Sequence, residues 1–140
     1  MLIETITIFG QKPRTRALAT ALAEQRQYLV DIYAPKPDDV HFYTRVARTK
    51  KLPSLSFLFS RTVEKAAWGA DAIIIDSASH IALLPEIARA ANDTGIVIYA
   101  GTLSDQHAKA LHDSLKTTSL VHAEGARLKR LWPECPPLPA

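Results

Sequence analysis

One α/β domain built on a parallel sheet is the fold this sequence predicts, and three observations predict it. Apolar, β-branched runs of strand length alternate with helix-forming segments along the chain, in the order β-α-β-α-β-α-β-α-β. The clearest run, Ala70 to Asp76, is almost continuously apolar, as a strand covered on both faces must be. A length of 140 residues, with 47% hydrophobic and 22% charged, suits a single domain with a real core. The expected architecture is three layers, with about five mostly parallel strands, helices on both faces and right-handed crossovers. The domain is expected to span 1–132, with a proline-rich tail over 133–140.

Ile3 to Phe9 reads as the first strand and stops at Gly10. Pro13 fits the first turn of a helix, where its missing N–H costs nothing. Ala17 to Gln25 is strong helix-forming sequence, with Leu18, Ala21 and Leu22 on one face. Tyr28 to Tyr33 is the second strand, and Pro35 to Asp39 is expected to break regular structure. Val40 to Lys51 fits either a short helix or a basic loop. Leu55 to Trp68 reads as a helix entered at Pro53 and Ser54 and capped by Gly69. After the strand Ala70 to Asp76, Ile81 to Asn92 reads as a helix, with Leu83, Leu84, Ile87 and Ala91 inward. Ile96 to Ala100 is a buried strand ending at Gly101. Ser104 and Asp105 suit the start of a helix from Gln106 to Leu115. Ser119 to Ala123 fits a short last strand, and Arg127 to Leu131 a last helical turn.

Composition excludes several classes. No apolar run approaches the ~20 residues that span a bilayer, so no membrane association is expected. The opening residues make a poor signal peptide, since they lack a basic start and Glu4 interrupts the apolar stretch. Cys135 is the only cysteine, which rules out an internal disulfide and a thiolate cluster for a metal. A cytoplasmic location is expected. The net charge of +3 is mildly basic. Its distribution is uneven: Arg45, Arg48, Lys50, Lys51, Arg61 and Lys65 crowd one stretch, opposed there by Glu64 alone, and Lys12, Arg14 and Arg16 form a second group.

In open α/β sheets, ligands bind beyond the carboxyl ends of the strands, where strand order reverses. Those ends carry Gly10-Gln11-Lys12-Pro13-Arg14, Ala34-Pro35-Lys36, Asp76-Ser77-Ala78-Ser79-His80 and Ala100-Gly101-Thr102-Leu103-Ser104. Such residues also occur at turns simply because turns need them. The first turn is the natural phosphate cradle, because a helix N-terminus presents free N–H groups and partial positive charge. Lys12, Arg14 and Arg16 would add charge-assisted hydrogen bonds. The G-x-G-x-x-G fingerprint and a Walker A loop are both absent, and no acidic residue ends the second strand to hold a ribose.

Two resemblances add to this. Ala70-Asp71-Ala72-Ile73-Ile74-Ile75-Asp76, Leu84-Pro85-Glu86-Ile87 and Gly95-Ile96-Val97-Ile98-Tyr99-Ala100-Gly101 resemble the central part of Rossmann-like NAD(P)-binding domains of dehydrogenases. The resemblance implies a Rossmann-like fold, with a flavodoxin-like sheet as the alternative, and a cofactor such as NAD(P) or another nucleotide. A second resemblance is to receiver domains of two-component signalling. Asp76 ends the third expected strand, where a receiver keeps its phosphoacceptor, and Thr102 is similar to the receiver's hydroxyl residue. Gln11 and Lys12 stand where a receiver has its acidic pair, which implies protein binding rather than phosphotransfer.

Other constellations carry less. Asp76, Ser77, Ser79 and His80 are close in sequence, but a triad is defined by geometry, and no G-x-S-x-G elbow is present. His107 and His112 are five apart and do not share a helix face, so they read as solvated helix polarity. The basic segment contains Phe42, Tyr43, Phe57 and Phe59. That mixture fits weak nucleic-acid contact through Arg45, Arg48, Lys50 and Lys51. It fits better core aromatics, Phe57 and Phe59 with Leu58, beneath a solvated charged face, and the aromatics also suit a homodimer contact.

The expectation is a small Rossmann-like domain that binds a phosphate-bearing, nucleotide-like ligand at the carboxyl edge of the sheet. Gly10, Gln11, Lys12, Arg14, Ser77, Gly101 and Thr102 are its expected binding residues. Regulation through binding is expected rather than complete catalysis, so neither catalytic nor metal-ligating residues are assigned. A degenerate receiver-like module for a partner protein, and a nucleic-acid accessory protein, are the alternatives.

Overall fold

A computed structural model describes residues 2–53, 55–76, 81–91, 95–101, 104–114 and 119–136. Strand β1 (Thr5–Phe9) leads into α1 (Pro13–Glu24), β2 (Leu29–Tyr33) and α2 (Pro37–Thr49). Then come β3 (Phe57–Ser60), α3 (Val63–Ala67) and β4 (Ala72–Asp76). A single 3-10 turn (Ile81–Leu83) runs into α4 (Leu84–Ala90), followed by β5 (Ile96–Ala100), α5 (Asp105–Ser114), β6 (Ser119–His122) and α6 (Ala126–Leu131).

The six strands form one sheet in the order β3-β2-β1-β4-β5-β6, and every neighbouring pair is parallel. This is the doubly wound Rossmann order, in which the chain starts at the centre and reverses direction between β1 and β4. Side chains alternate along the strands as the pleat requires. Ile6, Ile8, Val30, Ile32, Ile74 and Ile98 pack under α1, α2 and α6, in a cluster with Leu18, Leu22, Tyr43 and Leu128. Phe9, Ile73, Ile75 and Val97 face the other way, with Val63, Ala66 and Ile87. Thr7, buried on that second face, donates to the Ala66 carbonyl at 2.6 Å and ties β1 to α3. At the opposite end of the sheet, Asp71 Oδ2 accepts from the amides of Glu4 (2.9 Å) and Thr5 (3.0 Å), which fixes the entry of β1 beside β4.

Two sequence expectations are corrected. Leu55 to Trp68 is not one helix but β3 followed by the short α3. Phe57 faces the core, where its ring lies 4.8 Å from Tyr43, while Leu58 points away and is half exposed. The Thr62 hydroxyl then accepts from the Lys65 amide and starts α3. An apolar run this short satisfies both periods, and pairing with β2 decides it. Pro35 to Asp39 does not simply break structure. Pro37 takes the first helical position, Asp38 and Asp39 fill the first turn, and α2 continues through the ambiguous segment to Thr49. With β3 present, the sheet has six strands and Asp76 ends the fourth. A receiver's 2-1-3-4-5 order is therefore not the one observed.

The chain beyond α6 is anchored as far as Pro136. Trp132 is buried, its indole N–H donates to the Tyr28 hydroxyl at 3.2 Å, and the two rings meet edge to face. Cys135 packs beside them, and burial pushes its thiol up to about 11. No helix among the described residues is long and apolar enough to cross a membrane.

Candidate functional site

The carboxyl ends of β1, β2 and β4 meet around the first turn of α1. Gly10 follows β1 directly. A Cβ there would lie 2.8 Å from the Thr15 methyl and 3.0 Å from the Asp76 Cβ, so α1 and β4 approach as closely as glycine alone permits. Gln11 is half-buried and Lys12 exposed. Lys12 is the N-cap residue without a side-chain cap, but its carbonyl accepts from the amides of Thr15 and Arg16 and from the Thr15 hydroxyl, each at 3.0 Å. Pro13 at the first helical position leaves one fewer N–H at this end.

Arg14 reaches across the gap between β1 and β4. Its Nε meets Asp76 Oδ2 and its Nη2 meets Asp76 Oδ1, both at 3.1 Å. The Asp76 side chain has no exposed surface, whereas Arg14 is 31% exposed. Hydrogen bonding to Asp76 raises the guanidinium pKa above its ordinary value against the opposing cost of burial. Two residues on, Arg16 turns toward α2. Its Nη2 lies 2.8 Å from Asp39 Oδ1, and its guanidinium stacks over Phe42 at 4.4 Å. Beneath this pair, the fully buried Tyr43 hydroxyl and the Arg16 Nε have no hydrogen-bond partner among the described residues. Burial is the main reason that the Tyr43 phenol is pushed up.

A cleft of about 380 Å³ opens beyond β1 and β2. Gln11, Tyr33, Pro35, Lys36, Asp38 and Leu83 line it, with the Arg16–Asp39 pair in its wall. Across the sheet, Gly101 follows β5 with φ of 87°, a conformation that favours glycine, and its carbonyl lies 3.0 Å from His122 Nε2. Ser104 starts α5 as expected, accepting from the His107 amide at 3.2 Å and pairing with its Nδ1 at 2.6 Å.

Of the residues expected at the site, Gly10, Gln11, Lys12 and Arg14 thus share one turn, and Gly101 lies at the end of β5. Ser77 and Thr102, with Ser79 and His80, lie outside the described residues. The aromatics of the basic segment divide. Tyr43 and Phe57 are core, while Phe42 carries Arg16. Sequence reasoning missed Asp39 and the cleft wall. The signal available was two acidic residues directly after Pro37, which marks a helix start.

A dinucleotide places its pyrophosphate at this first turn in Rossmann-type domains, using one glycine for the turn, a second for close approach and a third for helix packing. Here Gly10 holds the first position, Lys12 the second and Thr15 the third. The room at Gly10 is filled by Thr15 and Asp76, and Arg14–Asp76 bridges the crevice itself. These residues do not fit a pyrophosphate in that position.

No known protein-family model matches this chain, and no curated protein does. Solved structures do. Lactate dehydrogenase from Eimeria maxima with NADH and oxamate has a TM-score of 0.66 and 13% identity, over 92% of this chain and 47% of that one. Malate dehydrogenase from Naegleria fowleri has 0.64 and 15%, over 84% and 44%. The imine reductase from Myxococcus stipitatus in complex with NADP+ has 0.63 and 15%, over 84% and 39%. The chain therefore spans less than half the length of each of these three proteins, and the likeness establishes the Rossmann fold.

Proposed function

We propose that this chain binds a phosphate-bearing ligand of mononucleotide size in the cleft beyond β1 and β2, and that it acts by binding rather than by turnover. The observation that carries this reading is the division of the carboxyl edge. The β1–β4 crevice is spanned by Arg14–Asp76, while the adjoining cleft of about 380 Å³ is open. That volume lies near the small end of ligand pockets. Lys36 and the neighbouring Lys12 supply positive charge for a phosphate, the Gln11 amide supplies a donor and an acceptor, and Tyr33 and Leu83 supply apolar surface. Nucleotides are the favoured class because neighbours of the same fold are named with NADH and NADP+. Regulation is the role that fits a site of this kind, since the described cleft residues offer no paired nucleophile and base.

Thermal denaturation with AMP, ATP, NAD and NADP tests the proposal. A ligand that binds only the folded state stabilises it by about 2.7 kcal/mol at a hundredfold excess over Kd. AMP or ATP is expected to raise Tm, NAD to do no better than AMP, and Lys36→Ala to remove the shift. No shift with any of the four at millimolar concentration sinks the proposal. A larger shift with NAD than with AMP would return the pyrophosphate to the crevice.

A further inference from the structure

We propose that the open edge of β3 is a docking site for an extended acidic peptide segment, which adds to the sheet as a seventh strand. Among the described residues, β3 is the outermost strand on its side and pairs only with β2. The Val30 amide donates to the Ser56 carbonyl and the Ala34 amide to the Ser60 carbonyl. In a parallel pair, alternate residues turn their backbone groups toward the partner. Leu58 and Ser60 therefore face β2, and Phe57 and Phe59 turn their N–H and C=O groups outward. Neither has a backbone partner on that side among the described residues. An unpaired edge of this kind templates a further strand, and backbone hydrogen bonds supply the affinity.

A groove of about 310 Å³ runs beside this edge between β3 and α2. Tyr43, Ala47, Leu52, Phe57 and Phe59 make its lining largely apolar, and Arg48 stands at it. It would take alternate apolar side chains of an added strand.

Charge selects the occupant. Arg45, Arg48 and Lys51 are exposed on and after α2, and Arg61 is exposed immediately after β3. None of these four forms an ion pair among the described residues, while nearby Lys50 meets Glu24 at 3.4 Å. Glu64 is the only acidic residue from Val40 to Gly69. A second copy of this chain would bring the same cations against these, so self-pairing is opposed. A nucleic acid would need stacking faces, but in this groove Tyr43 and Phe57 are buried, the exposed Trp68 follows α3 and is not part of the groove lining, and a phosphate backbone does not match a row of amides. An acidic strand satisfies the charge, the apolar groove and the open edge together.

The test uses a fluorescein-labelled octapeptide of alternating glutamate and valine, titrated by fluorescence anisotropy. Amide hydrogen exchange at Phe57 and Phe59 is followed in parallel. Binding is expected, with slowed exchange at both amides. Affinity should fall about tenfold or more in the Arg48→Glu/Lys51→Glu variant, a loss of about 1.4 kcal/mol. The same peptide N-methylated at every residue should not bind, and this control needs no change in the protein. No binding of the acidic peptide, equal binding of a lysine–valine peptide, or equal binding of the N-methylated peptide would each overturn the proposal. Protection of Phe57 and Phe59 by oligo(dT) would reassign the edge to nucleic acid. Protection that grows with protein concentration, with a dimer in light scattering, would reassign it to a second copy.

Discussion

Two arginines leave the same turn of α1, two residues apart, and each ends on a buried aspartate. Arg14 makes two parallel contacts to Asp76, which is wholly enclosed at the end of β4. Arg16 makes a single contact to Asp39 on α2 and spreads the rest of its guanidinium over Phe42. The first pair joins α1 to the end of β4, at the point where the strand order reverses; the second joins α1 to α2. The difference concerns what each aspartate retains if its arginine is lost. Asp39 sits in the first turn of α2, where free N–H groups and the helix dipole favour a negative charge. Asp76 ends a central strand with no exposed side-chain surface, and Arg14 meets both of its oxygens. Cations at a helix N-terminus therefore need not signal an anion from outside, since both of these serve the fold.

Breaking each pair measures that difference. Arg14→Met is expected to cost the most, about 3 kcal/mol, because it removes a two-point, charge-assisted contact from a fully buried carboxylate. Urea denaturation should show a lower midpoint with an unchanged slope. A loss below about 1 kcal/mol would place the pair among ordinary surface bridges. Arg16→Met should cost less, about 1–2 kcal/mol, with part of the loss coming from the ring contact. Replacing Phe42 by leucine as well would isolate that part in a double-mutant cycle.

The smallest effect belongs to a carboxylate with no arginine at all. Asp31, midway along β2, is held by the Ser60 hydroxyl, 2.9 Å from each oxygen. Burial raises its pKa, and the Ser60 bond only partly offsets this. The folded protein therefore holds this proton more tightly than the unfolded chain. Its contribution to stability is greatest in acid and is lost as pH rises from the unfolded to the folded pKa. Asp31→Asn should remove that slope and be slightly more stable than the parent at neutral pH. Equal dependence of Tm on pH in both proteins, from the acid range to neutrality, would count against it.

Much of the fold was legible because its central strands are almost continuously apolar. Ile73, Ile74 and Ile75 are all buried, and no solvent-facing alternation confuses them. β3 was not legible. Leu55 to Phe59 fits both periods, and the choice is made by β2, more than twenty residues away in sequence. The site was half legible for the same reason. Glycine and cations at the first turn can be read locally, but Asp76 lies 62 residues from Arg14, and only the sheet brings it there. Without that partner, Arg14 looks available to a ligand.

The place of β1 in the sheet has a consequence for how the chain must be made. Its first partner, β2, follows within one helix, but its other partner, β4, comes only after β3 and α3. Until Ala72–Asp76 leaves the ribosome, one flank of β1 stays bare, and Ile6, Ile8 and Phe9, which the finished domain buries completely, lack half of their cover. A nascent chain in that state offers an apolar strand with unmet backbone groups to any other chain nearby. The same central position that fixes the carboxyl edge in the native domain makes synthesis of β1 to α3 the interval most exposed to misassociation, and the interval in which a holding chaperone has most to offer.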